Sequence, residues 1–84
     1  MNLFDMRKAF NFYRSYYDVY KMLKSDKDKI ALMDALLEKQ FYNIEPTLSG
    51  MAEFAYISQR EIINQQLKAW IDKTGGLITP PTEG

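Results

Sequence analysis

Cysteine and histidine are both absent from the chain. Without Cys no disulfide can brace a small fold, and without either residue the usual zinc sites are excluded. The lack of His also removes the base on which most nucleophilic triads depend. Net charge is absent too, with 11 Lys and Arg against 11 Asp and Glu. A protein that coats DNA carries a basic excess, because its affinity comes from displacing counterions from phosphates. No apolar run approaches the ~20 residues of a membrane span, and the opening MNLFDMRK does not read as a signal peptide. The expectation is a soluble cytoplasmic protein, with which the lack of Cys is compatible. Gly-rich phosphate loops of Walker or Rossmann spacing are missing. A paired carboxylate at Asp34 and Glu38, spaced i, i+4, reads as a solvated helix face. These features predict a non-enzymatic protein with no cofactor and no metal.

Against these absences stands an abundance of aromatic side chains: six Tyr, five Phe and one Trp. A chain of 84 residues is one domain at most. A domain of this size buries about 60–65% of the surface its unfolded chain exposes. Small folds add a disulfide, a metal or a partner subunit, and here only the subunit remains.

Periodicity predicts an all-α fold, a small three-helix bundle with a short extended C-terminal tail, packed into a helical oligomer. The domain covers residues 1–76, with helices at 3–24, 26–42 and 47–73, and the tail covers 77–84. In the first helix Phe12, Tyr16, Val19 and Leu23 form one apolar stripe. Met6, Phe10, Tyr13, Tyr17 and Tyr20 form another beside it, and together they exceed the ~100° arc that a surface helix buries. Ser25 reads as the N-cap of the second helix, with Asp26 and Asp28 in its first turn. Ile30, Met33, Leu36, Leu37 and Phe41 share a face of that helix, and Ala31 and Ala35 lie on its outer side. The third helix carries Met51, Phe54, Ala55 and Ile62 on one side. Tyr56, Ile63, Leu67 and Trp70 lie on the other. One small core needs only one of these stripes, so Phe10, Tyr20, Ile63, Leu67 and Trp70 are the expected interface with a second copy. The alternative is a long helix drifting across its own core. Gly75 and Gly76 supply a helix C-cap, and Pro80 and Pro81 bar further helix.

The succession FYRSYYDVYKML, an acidic–basic break, ALMDALLEKQFYNIEPTLSG and a long helix ending in KTGG resembles a small, uncharacterised all-helical domain family. That family is common in bacteriophages and prophages, often near replication genes. The resemblance covers about residues 10–76. It implies a helical protein without assigned enzyme activity. Many members continue after the double glycine into a basic tail suited to nucleic acid, whereas this chain continues as LITPPTEG, with neither Lys nor Arg.

Two constellations suggest ligand binding. Arg7, Arg14 and Lys21 recur every seven residues along one edge of the first helix, with Tyr13, Tyr17 and Tyr20 on the adjacent edge. A nucleotide-like ligand wants cations for its phosphates and a flat ring for its base, and Arg60 and Lys68 of the third helix could add to this set. The plainer reading is a core rim, with Arg stems covering tyrosines and Asp18 pairing with Arg14. Thr47, Ser49 and Gly50 suit an anion at a helix start. Equally, Thr47 or Ser49 is only an N-cap, Gly50 allows close packing, and Glu45 repels an anion. The expected function is that of a phage accessory protein in a bacterial host. It would act by binding, either sequestering a nucleotide-type immune signal or blocking a host protein to counter host defence. The alternative is a replication-region accessory module that binds DNA or a replication protein.

Overall fold

A computed structural model describes residues 7–74. Its elements are α1 (Arg14–Met22), α2 (Asp26–Tyr42) and α3 (Gly50–Thr74), and no strand occurs among the described residues. The expected helix start at residues 3–6, the double-glycine cap and the tail at 77–84 lie outside the described residues. No described helix is long and apolar enough to cross a membrane.

α2 occupies the predicted range. Ser25 has extended backbone, and its Oγ accepts from the Asp28 backbone N–H at 3.1 Å. A cap of this kind contributes about 1 kcal/mol. Asp26 and Asp28 lie at the positive end of the helix dipole, and Lys39 in the last turn lies at the negative end. The helix stops at Asn43, which adopts φ 55° and ψ 36°. Its N–H returns to the Lys39 carbonyl, and the Ile44 N–H reaches the Glu38 carbonyl. Asn is one of the few residues besides Gly that tolerates this left-handed position.

α1 is shorter than the pattern predicts. Residues 7–13 are not helical, and their polar groups are satisfied elsewhere. The Asn11 N–H donates to Gln66 Oε1, and the Asn11 carbonyl accepts from Gln66 Nε2, both at 3.0 Å. A side chain of α3 thus replaces bonds that a longer α1 would make internally, so tertiary contact overrides local preference. α1 then starts after Tyr13 without a side-chain cap.

α3 starts at Gly50 rather than at residue 47. Gly50 has φ +61°, and nothing lies within 4 Å of where a Cβ would stand. The glycine therefore serves backbone conformation, not close packing. Neither Thr47 nor Ser49 caps the helix with its hydroxyl; the Ser49 carbonyl accepts from the Glu53 N–H.

α3 packs mainly on α2, with α1 against both. The core joins Tyr16 and Leu23, Leu32, Ala35 and Leu36 of α2, and Ala55, Tyr56, Ile63 and Leu67 of α3. α2 is rotated relative to expectation. Ala35 is buried and Ile30 is 61% exposed, while Lys39 and Gln40 also point inward. Their polar atoms have buried partners, which lets them sit where the pattern expects apolar residues. In α3 the Tyr56, Ile63 and Leu67 stripe faces the core, whereas Met51 and Phe54 face outward. Ile63 and Leu67, expected at an interface between copies, are 1% and 5% exposed within one chain. Phe10 and Tyr20 also pack against this core.

Candidate anion-binding cleft

Two cations are buried in this small core, and they are treated differently. Lys39 Nζ donates to Glu45 Oε1 at 2.5 Å and to Asn43 Oδ1 at 2.8 Å. Its charge therefore has a carboxylate partner. Arg7 is only 9% exposed and has none: the ion pairs among the described residues are Lys39–Glu45 and Arg14–Asp18. Arg7 Nε donates to the Ala9 carbonyl at 3.1 Å. Its Nη1 donates to the Gln40 carbonyl at 3.0 Å and to Gln40 Oε1 at 2.6 Å. Its Nη2 donates to nothing among the described residues.

Buried charges are normally paired, because taking an ion out of water costs several kcal/mol. The Gln40 carbonyl belongs to the last turn of α2, so the helix dipole supplies about half a negative charge there. That offsets part of the guanidinium charge and leaves the rest. Burial accordingly holds Arg7 below the ordinary arginine value, with the neighbouring Tyr16 hydroxyl acting the other way. The residue stays protonated, since arginine does not lose its proton in proteins.

A polar seam fixes this arrangement. Gln40 is fully buried, and its Nε2 donates to the Tyr16 hydroxyl at 3.4 Å. Gln66 Nε2 donates to the same oxygen at 2.8 Å while holding Asn11. Burial pushes the Tyr16 pKa up, and the two amide bonds partly oppose the shift. Each helix thus contributes one member: Tyr16 from α1, Gln40 from α2 and Gln66 from α3. Connected networks of this kind are stiff, because moving one member strands the others.

Beside Arg7 opens a cleft of about 300 Å³, lined notably by Phe10, Tyr13, Gln66, Trp70 and Lys73. That volume is at the lower end of small-molecule sites. Among the described residues its lining holds two cations and no carboxylate, although the chain as a whole is neutral. Three aromatic rings share the lining. The arrangement offers a cationic floor, a second cation on exposed Lys73, and flat apolar walls.

Only part of the expected ligand set meets here. Arg7 and Tyr13 line the cleft, brought together by the irregular segment rather than by a helical edge. Arg14 is exposed and pairs with Asp18 at 3.8 Å. Tyr17 stacks on Tyr20 at 6.3 Å, with Lys21 Nζ 6.0 Å from the Tyr17 ring, on the exposed side of α1. Thr47 lies beside Asp34 and Glu38, whose charges oppose an anion; Ser49 is exposed nearby in sequence, and Glu45 is engaged by Lys39. Arg60 and Lys68 line a separate open depression of about 390 Å³ on the outer face of α3, whose lining also holds Glu61. Trp70, expected at an interface between copies, walls the cleft. Lys73, Gln66 and Gln40 were not legible as site residues, since isolated polar residues on long helices carry no spacing signal. No group of Asp, Glu, His or Cys suited to a metal occurs among the described residues. Comparisons with protein-family models, curated proteins and solved structures give no match to this chain.

Proposed function

We propose that this protein works by binding a small organic anion that carries a flat ring, of the nucleotide type, and that it catalyses no reaction on it. The observation that carries this reading is the buried Arg7 guanidinium, without a carboxylate partner among the described residues, at an aromatic-walled cleft with Lys73 as a second cation. A phosphate suits Arg7 because the free Nη2 edge presents donors in a fixed plane. The rings of Tyr13 and Trp70 suit a base. A cleft of about 300 Å³ accommodates a mononucleotide-sized group rather than an extended ligand.

A ligand held stoichiometrically and left unchanged is sequestered. In the phage setting that the sequence resemblance implies, this makes the protein a counter-defence factor that removes a nucleotide-type immune signal from the bacterial cytoplasm. Calorimetry with mononucleotides, cyclic nucleotides and ADP-ribose tests the reading. Saturable binding of at least one, weakened by Lys73→Glu without loss of helix content, is expected. No heat from any of them at millimolar ligand would refute it.

A further inference from the structure

The outer face of α3 holds apolar side chains that the chain's own core does not use. Met51, Phe54 and Ile57 are 61%, 69% and 44% exposed, all within the first turns of one helix. At ~100° per residue, Phe54 and Ile57 fall on the side away from buried Ala52, Tyr56, Gln59 and Ile63. Gly50 lies on that outer side one turn before Phe54. A Cβ there would meet nothing within 4 Å, so another backbone can approach closely. Glu53 and Arg60 lie seven residues apart and therefore on the same edge, on either side of Ile57. Neither forms an ion pair among the described residues.

We infer that this face is where a second copy of the chain docks, α3 against α3, antiparallel, with the two-fold axis beside Ile57. Glu53 is four residues before Ile57 and Arg60 three after it. An antiparallel pairing about that axis therefore brings Glu53 of one copy level with Arg60 of the other to within one residue, about 1.5 Å along the helix. Symmetry repeats the pair, so Glu53 and Arg60 complement each other at both ends of the contact, as an isologous contact requires; Glu61, level with Glu53, falls on the Phe54 edge instead. A parallel pairing would set Glu53 against Glu53 and Arg60 against Arg60. In the antiparallel arrangement Ile57 meets Ile57 at the centre, and Phe54 covers the opposite edge. The inference is independent of the Arg7 cleft.

One helix against one helix is a small contact, of the class below about 1,200 Å² in total that forms weak and transient complexes. The dimer is therefore concentration-dependent and sensitive to salt, since its ion pairs lie at the rim. Sedimentation equilibrium of the full chain at low ionic strength tests it. The expected result is a reversible monomer–dimer equilibrium. Glu53→Arg and Arg60→Glu, each alone, weaken it by about tenfold by placing like charges across the axis. An equimolar mixture of the two variants restores association, because the mixed dimer pairs opposite charges at both rim positions. At one rim position the two introduced side chains face each other, and at the other the native Arg60 and Glu53 do. All these positions are exposed, and circular dichroism checks that the fold is retained. A wild-type chain that stays monomeric at every concentration overturns the inference. So does a mixture that associates no better than its components.

Discussion

Replacing Tyr56 by Phe is expected to stabilise this protein. Tyr56 is 2% exposed, and among the described residues neither its hydroxyl nor Gln59 Oε1 has a hydrogen-bond partner. Both residues line a small core cavity of about 10 Å³ shared with Tyr16, Leu36 and Ile63. An unsatisfied buried hydroxyl costs about 1–3 kcal/mol relative to its hydrated state. Phe keeps the ring and its packing and removes that cost. Part of the gain is lost to the slightly larger void, so a net gain of about 1 kcal/mol is the expectation. In a domain of this size that raises Tm by about 4–8 °C. The same burial gives a second readout. Burial, and then Glu45, push the Tyr56 pKa up to about 12, with Arg60 opposing. The folded state therefore disfavours the phenolate. Its stability from this residue is complete below the unfolded value of about 10 and is lost as pH rises from there towards 12. Tyr56→Phe lacks this residue's share of the alkaline loss. Urea denaturation at about pH 7 and about pH 11 measures both effects. A variant that loses about 1 kcal/mol or more near neutral pH would show that the hydroxyl is satisfied in the folded protein, and would refute the reasoning.

The opposite sign is expected at Tyr16, whose oxygen accepts from Gln40 and Gln66. Tyr16→Phe strands the buried Gln40 amide and leaves Gln66 Nε2 with the Asn11 carbonyl alone, and should cost about 1–3 kcal/mol in the same denaturation assay. Gly50→Ala should cost about 1–2 kcal/mol despite the open space around it, because φ +61° strains any residue with a Cβ; thermal unfolding monitored by circular dichroism reads this directly. Glu45→Gln leaves buried Lys39 without its carboxylate. It should destabilise by about 1 kcal/mol, discounted because Glu45 is largely exposed; a partner variant, Lys39→Met, should recover part of that loss when combined with it.

Local rules made some of this legible. α2 could be placed because Ser25 and Asp28 meet at its start and Asn43 ends it, and such signals depend only on near neighbours. The start of α1 could not. The bonds that hold Asn11 out of a helix come from Gln66, 55 residues away. The inward face of α2 was misread for a related reason. Lys39 and Gln40 look like surface residues until Glu45, Arg7 and Tyr16 are seen to satisfy them. In α3 both apolar stripes were visible, and only packing shows that Ile63 and Leu67 belong to the core and Phe54 to the surface. For the cleft, Arg7 was singled out from a seven-residue spacing with Arg14 and Lys21, and Tyr13 from the adjacent helical edge, neither of which the non-helical segment 7–13 keeps. The cations and rings that line the cleft come from residues 7–13 and the far end of α3, not from one helical edge.

Trp70 is the single tryptophan of the chain and it walls the cleft, so its emission reports occupancy without a label. The most direct test titrates that emission with adenosine monophosphate, adenosine and inorganic phosphate in parallel. Saturable quenching by the monophosphate is expected, with adenosine and phosphate at least about tenfold weaker, because each lacks one half of the recognition. Equal responses to adenosine and its monophosphate, or none to either, would contradict a cleft built around the unpaired charge of Arg7.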